Sequence, residues 1–457
     1  MKKRRKKKSN YVFLLIPLLC IIVILAAGLL IINGYQKRNS KEQETEGIQE
    51  SEKSLEEEEQ SLEEEEQSPE NVDDEQHVED DDQNKENINN DEMVTMTAEL
   101  YEEEQEEVTE KEVKDKISVM SLEEKVLQMF MVTPEALTGA GSVTQAGPQT
   151  QAAVNQYPVG GLIYFRNNIV SEEQFSTMIR NIQQYSQERI GLPLLIGVDE
   201  EGGTVRRVTG RGFADVPDIG DMYDIGATGD ASKAYEVGSQ IGSYLKRFQF
   251  NVDFAPDADV FSNPNNTVIG RRSFGSDADL VGAMVEQEVI GLQEQGVYAA
   301  LKHFPGHGDT SEDSHNGMAT SWKTMEEIRT CELIPFQKGI DAGAKFVMVG
   351  HISYPNILNS DIPASLSYTM VTDILRTEMG FDGVVITDAM NMGAIANRYH
   401  SSEAAVKAVE AGVDLILMPN DFASAYQGVV NAVKEGRISE ERINQSLERI
   451  LKIKFAS

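Results

Sequence analysis

Residues 302–319 read KHFPGHGDTSEDSHNGMA and crowd titratable groups into one glycine-rich stretch. Four of the chain's six histidines lie between positions 303 and 351, and imidazole is the side chain whose charge changes nearest neutral pH. Asp313 and His315 stand two residues apart. A carboxylate in that position can orient an imidazole and stabilise its protonated form, as proton transfer requires. The same stretch offers metal ligands in His303, His307, Asp309 and His315. Pro305, Gly306 and Gly308 place them on irregular backbone, without the single helical face of an HExxH pair, so no metal is expected. Asp388 directly follows the apolar run GVVIT. An acid at the end of a buried strand is costly unless it is used or paired, and the structural alternative is an N-cap for a helix over 389–396. Lys302 and Arg272 sit beside aromatic or glycine loop residues, where they serve either as ligand contacts or as ordinary surface cations.

These groups need a scaffold that brings them together. From about residue 117 short apolar runs alternate with amphipathic stretches of helical period. The runs are Met129–Val132, Gly161–Phe165, Leu194–Val198, Val252–Ala255, Tyr298–His303, Phe346–His351, Val384–Thr387 and Leu415–Met418. Many of their residues are β-branched, as in strands buried on both faces. Helices are predicted over Ser171–Glu188, Ala231–Gln249, Ala278–Gln295, Met325–Ala342, Tyr368–Met379, Ser402–Ala411 and Ala423–Lys434. This alternation predicts an α/β fold, a single TIM-like (β/α)8 barrel, rather than an open Rossmann-type sheet, whose GxGxxG after the first strand is missing. Barrel chemistry belongs at the C-terminal ends of the strands. Charged or imidazole residues do follow five of the runs: Asp199-Glu200-Glu201, Asp257 with Asp259, Lys302-His303, His351 and Asp388.

The rest of the chain reads as a tether. Seven cations at Lys2–Lys8 precede 21 uncharged residues, 12–32. That run is about 30 Å long as a helix, the thickness of a bilayer core. The expected organisation is a basic cytoplasmic tail (1–10), a transmembrane anchor (11–33), a disordered acidic spacer (34–116) and the barrel (117–457). Residues 41–115 hold 33 acidic and 5 basic side chains and a tandem SLEEEEQ repeat, so self-repulsion and a lack of apolar surface forbid a core. The net charge of -35 excludes a nucleic-acid partner, which would need a basic surface. Cys20 and Cys331 form neither a disulfide framework nor a CxxC zinc motif.

The stretches KHFPGHGDTSEDSH, GVDEEGG, GRRSF and GVVITDAMNMGAI together resemble family 3 of the glycoside hydrolases, and within it the β-N-acetylglucosaminidase branch. The resemblance covers nearly all of residues 117–457 and implies a TIM-like catalytic domain, in agreement with the strand and helix pattern. It implies a nucleophile at Asp388 and a general acid/base at His315 paired with Asp313. It implies sugar contacts at Asp199, Arg272, Lys302 and His303, with His351 as a further contact. Two positions depart from the pattern: Glu200 stands where glutamine is common, and Arg271 doubles the arginine. The implied reaction is retaining, through a covalent glycosyl-aspartate.

The expected function is that of an exported, membrane-anchored exo-β-N-acetylglucosaminidase acting on cell-wall muropeptides or related oligosaccharides. Its expected partners are a carbohydrate with terminal N-acetylglucosamine and the membrane, with a monomeric catalytic domain outside the cell and no cofactor. A β-glucosidase-type or phosphorolytic member of the family is the first alternative, and a catalytically inactive wall-binding protein the second.

Overall fold

The computed structural model describes residues 110–456 apart from 312, 315 and 316. The predicted tail and anchor, and all of the spacer before residue 110, lie outside the described residues. Among the described residues no helix is long and apolar enough to cross a membrane.

Eight parallel strands form one sheet: β1 (Phe130–Val132), β2 (Gly161–Ile163), β3 (Leu195–Val198), β4 (Val252–Asp253), β5 (Tyr298–Phe304), β7 (Phe346–Val349), β9 (Val384–Thr387) and β10 (Ile416–Leu417). Their order is β10-β1-β2-β3-β4-β5-β7-β9, and a parallel bridge between Ile386 and Leu415 joins the two ends into a nearly closed α/β barrel. Each strand coincides with one of the eight predicted apolar runs. A small parallel ladder, β6 (Ala319–Thr320) with β8 (Ile352–Ser353), lies beyond the ends of β5 and β7. Inside the barrel Gly197 leaves room for Phe254, whose ring carbons lie 3.1 Å from where a Cβ would stand.

The helices follow from capping and burial. Ser171 caps Glu172–Ile190 through a capping box, and Gly191 ends it in the left-handed conformation. Three differences from the sequence reading have local causes. The predicted helix Met325–Ala342 is two helices, Met325–Arg329 and Leu333–Asp341. Pro335 lacks an N–H and is tolerated only in a first turn, which forces a new start at 333. The folded region begins before 117: residues 110–119 are helical, and Val113 and Ile117 are buried in the core. The acid-rich composition of the spacer hid the first of these, Val113. Glu440–Phe455, which was not anticipated, forms a further helix with Ile443, Leu447, Ile450 and Leu451 on its buried face.

One buried group outside the cleft yields a prediction. Glu288, on the helix Ala278–Glu294, is buried, and neither carboxylate oxygen has a hydrogen-bond partner among the described residues. Burial first, and then Glu201 and Asp257, push its carboxyl up to about 8. The folded state therefore binds a proton that the unfolded chain has released, and stability falls as pH rises from about 4.5 to about 8, by a few kcal/mol. Glu288→Gln keeps the neutral shape and should remove that slope. Urea unfolding midpoints measured from pH 5 to 9 should converge at the acid end and favour the variant at the alkaline end.

Candidate active site

At the C-terminal rim of the barrel a carboxylate from β3 meets two cations. Glu201 is buried and grips Arg272 through two parallel bonds, Nε to Oε2 and Nη2 to Oε1, both 2.8 Å. Lys302 Nζ lies 2.5 Å from Glu201 Oε1 and 3.1 Å from Asp199 Oδ1. Asp199 also accepts from Arg207 Nη2 at 3.4 Å. Burial opposes charge on all three inner groups, but the ion pairs win. Arg272 and Lys302 hold the Glu201 carboxyl well below the usual carboxylate range, and Glu201 holds both cations above their ordinary values. The floor of the cleft is a fixed set of ionised donors and acceptors with Asp199 partly open beside it.

His303 completes this floor. Its Nδ1 lies 2.8 Å from Asp259 Oδ2, and its Nε2 lies 3.3 Å from Arg272 Nη2. Burial, reinforced by the Arg272 charge, pushes the imidazole down to about 4, so it is neutral at neutral pH. Burial and the neighbouring Asp259 raise Asp257 to about 7. Ligand atoms of Asp257, Asp259 and His303 lie within 4.8 Å of one another. The Arg272 guanidinium already supplies a cation there, with Nε 3.4 Å from Asp257 Oδ2. Of the other candidate metal ligands, His307 and Asp309 are engaged elsewhere. His307 faces Ser314 Oγ through Nε2 at 3.1 Å and Thr310 Oγ1 through Nδ1 at 2.7 Å. Asp309 accepts from Ser321 Oγ at 2.8 Å.

Lys302 and His303 are adjacent yet both serve the cleft. A regular strand would send them to opposite faces. The register between β5 and β7 shifts between Leu301 and Phe304, and this irregularity lets both side chains reach the same site. The following turn depends on glycine. A Cβ on Gly308 would stand 1.7 Å from the Val260 carbonyl oxygen, so only glycine lets this loop pass the one after β4.

Asp388 ends β9 and is partly open to solvent. Its N–H donates to the Val349 carbonyl at 2.9 Å, and its Oδ1 accepts from the Ala389 N–H at 2.7 Å. It does not cap a helix over 389–396, because the helix there is only Gly393–Ala396 and Met392 holds the cap position. Asp388 lies close enough to His303 and His307 to act on the charge of both. His351 is fully buried. Its Nδ1 meets Ser365 Oγ at 2.8 Å and its Nε2 meets the Ala389 carbonyl at 3.1 Å. His351 is thus joined to the Asp388 turn through the Ala389 carbonyl.

The loop carrying the Asp-Ser-His motif is tied down at its middle residue. Ser314 is buried, its carbonyl accepts from the Ala394 N–H at 3.2 Å, and its hydroxyl meets His307. The motif is therefore anchored against the segment that follows Asp388. Asp313 is half-buried on this loop, and His315 lies outside the described residues.

Several residues of the site were not singled out from the sequence as contacts. Glu201 is the ionic centre, and its signal was the second acid of the DEEGG stretch. Asp257 and Asp259 were visible as strand-end acids. Arg207 carried no signal. Glu200, the departure from the family pattern, has a structural task. Its carboxylate accepts from the N–H groups of Val208 at 2.8 Å and Thr209 at 2.9 Å, from Thr209 Oγ1 at 2.6 Å and from Tyr244 Oη at 3.1 Å, closing the loop over β3.

Residues 121–453 match the family described as glycosyl hydrolase family 3 N terminal domain. Beta-hexosaminidase A of Pseudoalteromonas piscicida is 34% identical over 341 residues, 68% of this chain and 56% of the relative. Beta-hexosaminidase LpqI of Mycobacterium tuberculosis is 32% identical over 312 residues, 66% of this chain and 78% of the relative. The structure of a glycoside hydrolase family 3 beta-N-acetylglucosaminidase from Paenibacillus sp. str. FPU-7 is similar with a TM-score of 0.69 at 39% identity, covering 74% of this chain and 62% of that one. The chain thus spans less than two thirds of the Pseudoalteromonas and Paenibacillus proteins. With strand-end acids, a buried ion-paired floor and a family match over most of its length, the chain belongs to glycosyl hydrolase family 3, in its β-N-acetylhexosaminidase branch.

Proposed function

We propose that this protein is a retaining exo-β-N-acetylglucosaminidase, held outside the cell membrane by its N-terminal anchor and acidic spacer, that removes terminal N-acetylglucosamine from cell-wall fragments or related oligosaccharides. The observation that carries this reading is Asp388, a partly open carboxylate held at a strand end beside the buried Asp199–Lys302–Glu201–Arg272 floor. The anchor and spacer part of the proposal stands on the sequence.

In this reading Asp388 attacks the anomeric carbon through an oxocarbenium-like transition state. The new C1–O bond forms as the glycosidic C1–O bond breaks, and His315 donates its proton to the departing oxygen. Water then adds at C1 from the face the leaving group vacated, opposite Asp388, while His315 takes up its proton and the C1–O bond of the Asp388 ester breaks, so configuration is retained. Asp313 positions the imidazole and favours its charged form. Lys302, Asp199, Arg272 and His303 bind the sugar hydroxyls on a floor whose charges are already paired, so little reorganisation is needed during the reaction. A neutral imidazole in place of a second carboxylate lowers repulsion between acid/base and nucleophile.

The test is mechanism-based trapping. A 2-acetamido-5-fluoro glycosyl donor should label Asp388, as read by peptide mass mapping. NMR of the first-formed product should show the β-anomer. A nitrophenyl β-N-acetylglucosaminide should be cleaved at least about a hundredfold faster than the β-glucoside, because a site built around a polar substituent loses that much when the group is missing. Label on another residue, an α-product, or preference for the glucoside would overturn the reading.

A further inference from the structure

Trp322 is the chain's single tryptophan and is 66% exposed. Single exposed apolar residues are common on protein surfaces and by themselves mean nothing. Three observations set this one apart. The first is rigidity: the preceding Ser321 extends the β6–β8 ladder, donating from its N–H to the Ser353 carbonyl at 3.0 Å, and the Asn356 side-chain amide donates to the Trp322 carbonyl. A floppy surface residue is not held from both sides of its backbone.

The second is place. Trp322 follows the 311–318 loop, and its ladder continues from β7, whose Val349 carbonyl receives the Asp388 N–H. From Val349 to Ser353, across one ladder spacing and on to Trp322, the path is no more than about 25 Å, within reach of an oligosaccharide of a few units. The third is contrast. Tyr223, also exposed, has one face occupied by the Arg271 guanidinium at 5.3 Å, whereas the Trp322 ring makes no aromatic or cation contact among the described residues.

The direction of the substrate gives this ring a use. An exo-acting site buries the terminal sugar against the closed floor, so the remaining chain must leave outward. In the proposed reaction the leaving oxygen is protonated from the Asp-Ser-His motif, which is anchored through Ser314, and Trp322 lies a few residues further along the same segment, so the aglycone leaves toward this part of the chain. Pyranose rings present apolar C–H faces that pack on indole, and an aromatic with one dry face and a wet edge suits such a place.

We propose that Trp322 is a stacking platform for the second or third sugar of a β-linked N-acetylglucosamine oligosaccharide, and that it sets preference for extended substrates. The proposal rests on the glycosidase reading above. Because Trp322 is the single tryptophan, the intrinsic indole emission of the protein reports on this position. In the full-length Asp388→Asn protein, titration with the β-1,4-linked N-acetylglucosamine tetramer should shift the emission to shorter wavelength, whereas the monosaccharide should leave it unchanged. In the active enzyme, Trp322→Ala should raise KM for the tetramer about three- to tenfold, leave kcat for it nearly unchanged, and leave hydrolysis of the nitrophenyl monosaccharide unaffected. Trp322→Phe should recover most of the loss. An emission spectrum indifferent to saturating tetramer, with equal tetramer KM in Trp322→Ala and the parent, would overturn the proposal. If the parent cleaves no N-acetylglucosaminide, the glycosidase reading fails on its own, and the emission titration still decides whether Trp322 meets a glycan.

Discussion

Asp388→Ala should lower kcat by about 10⁴-fold or more while leaving the protein folded, because the covalent route disappears and only binding and electrostatic stabilisation remain. The fold should survive because the side chain is partly open to solvent rather than part of the packed core. The turn itself is held independently, by the Val349 carbonyl and by His351 on the Ala389 carbonyl. Two readouts separate loss of a nucleophile from general damage. A substrate-like inhibitor should still bind the variant with near-parental affinity. Added azide should restore turnover and deliver the α-glycosyl azide, since a small anion attacking in the space vacated by the carboxylate inverts the anomeric centre. Near-parental kcat in Asp388→Ala would remove Asp388 from the chemistry altogether.

Removing the ionic centre of the cleft should have the second largest effect, on stability and activity together. Glu201→Ala leaves Arg272 and Lys302 buried with their main counter-ion gone. Breaking a buried pair from one side costs about 3–5 kcal/mol, because the surviving charge cannot regain its water. Asp199 and Asp257 soften the loss, since they lie 3.1 Å from Lys302 and 3.4 Å from Arg272. Guanidinium unfolding should show the drop. At a temperature where the variant is still folded, kcat/KM should fall as well, because Lys302 and Arg272, the proposed sugar contacts, lose the carboxylate that holds them in place. Glu201→Gln keeps the shape and part of the hydrogen bonding and should lie between alanine and the parent. The pH sign is defined: Glu201 is depressed in the folded state, so its contribution is complete above about pH 4.5 and is lost as pH falls below that. The alanine variant should therefore lack part of the parent's destabilisation on acidification.

Much of this protein is legible along the chain because its physics is local. A strand buried on both faces must be a short apolar run, and all eight barrel strands stand where such runs occur. A helix needs a cap and a stop, and Ser171 and Gly191 mark theirs. Strand-end acids are costly enough to be conspicuous, so Asp199 and Asp388 are legible from the sequence. The loop with Asp313 and Ser314 announced itself by its glycines and histidines.

What local pattern leaves open is the pairing of distant groups. The sequence by itself determined the strands, their order as an α/β repeat, the candidate nucleophile and the charged residues of the cleft. Only the tertiary structure decided that Glu201 holds Arg272 across 71 residues and Lys302 from the next strand but one. It also assigned Glu200 to loop closure and joined His351 to the Ala389 carbonyl beside Asp388. The same packing broke the β5 register so that Lys302 and His303 share one cleft. Strand and helix signals arise from neighbours a few residues apart. Whether a buried charge is a contact, a counter-ion or a brace depends on which partner the closed barrel places within about 3 Å of it, and no short-range pattern encodes that distance.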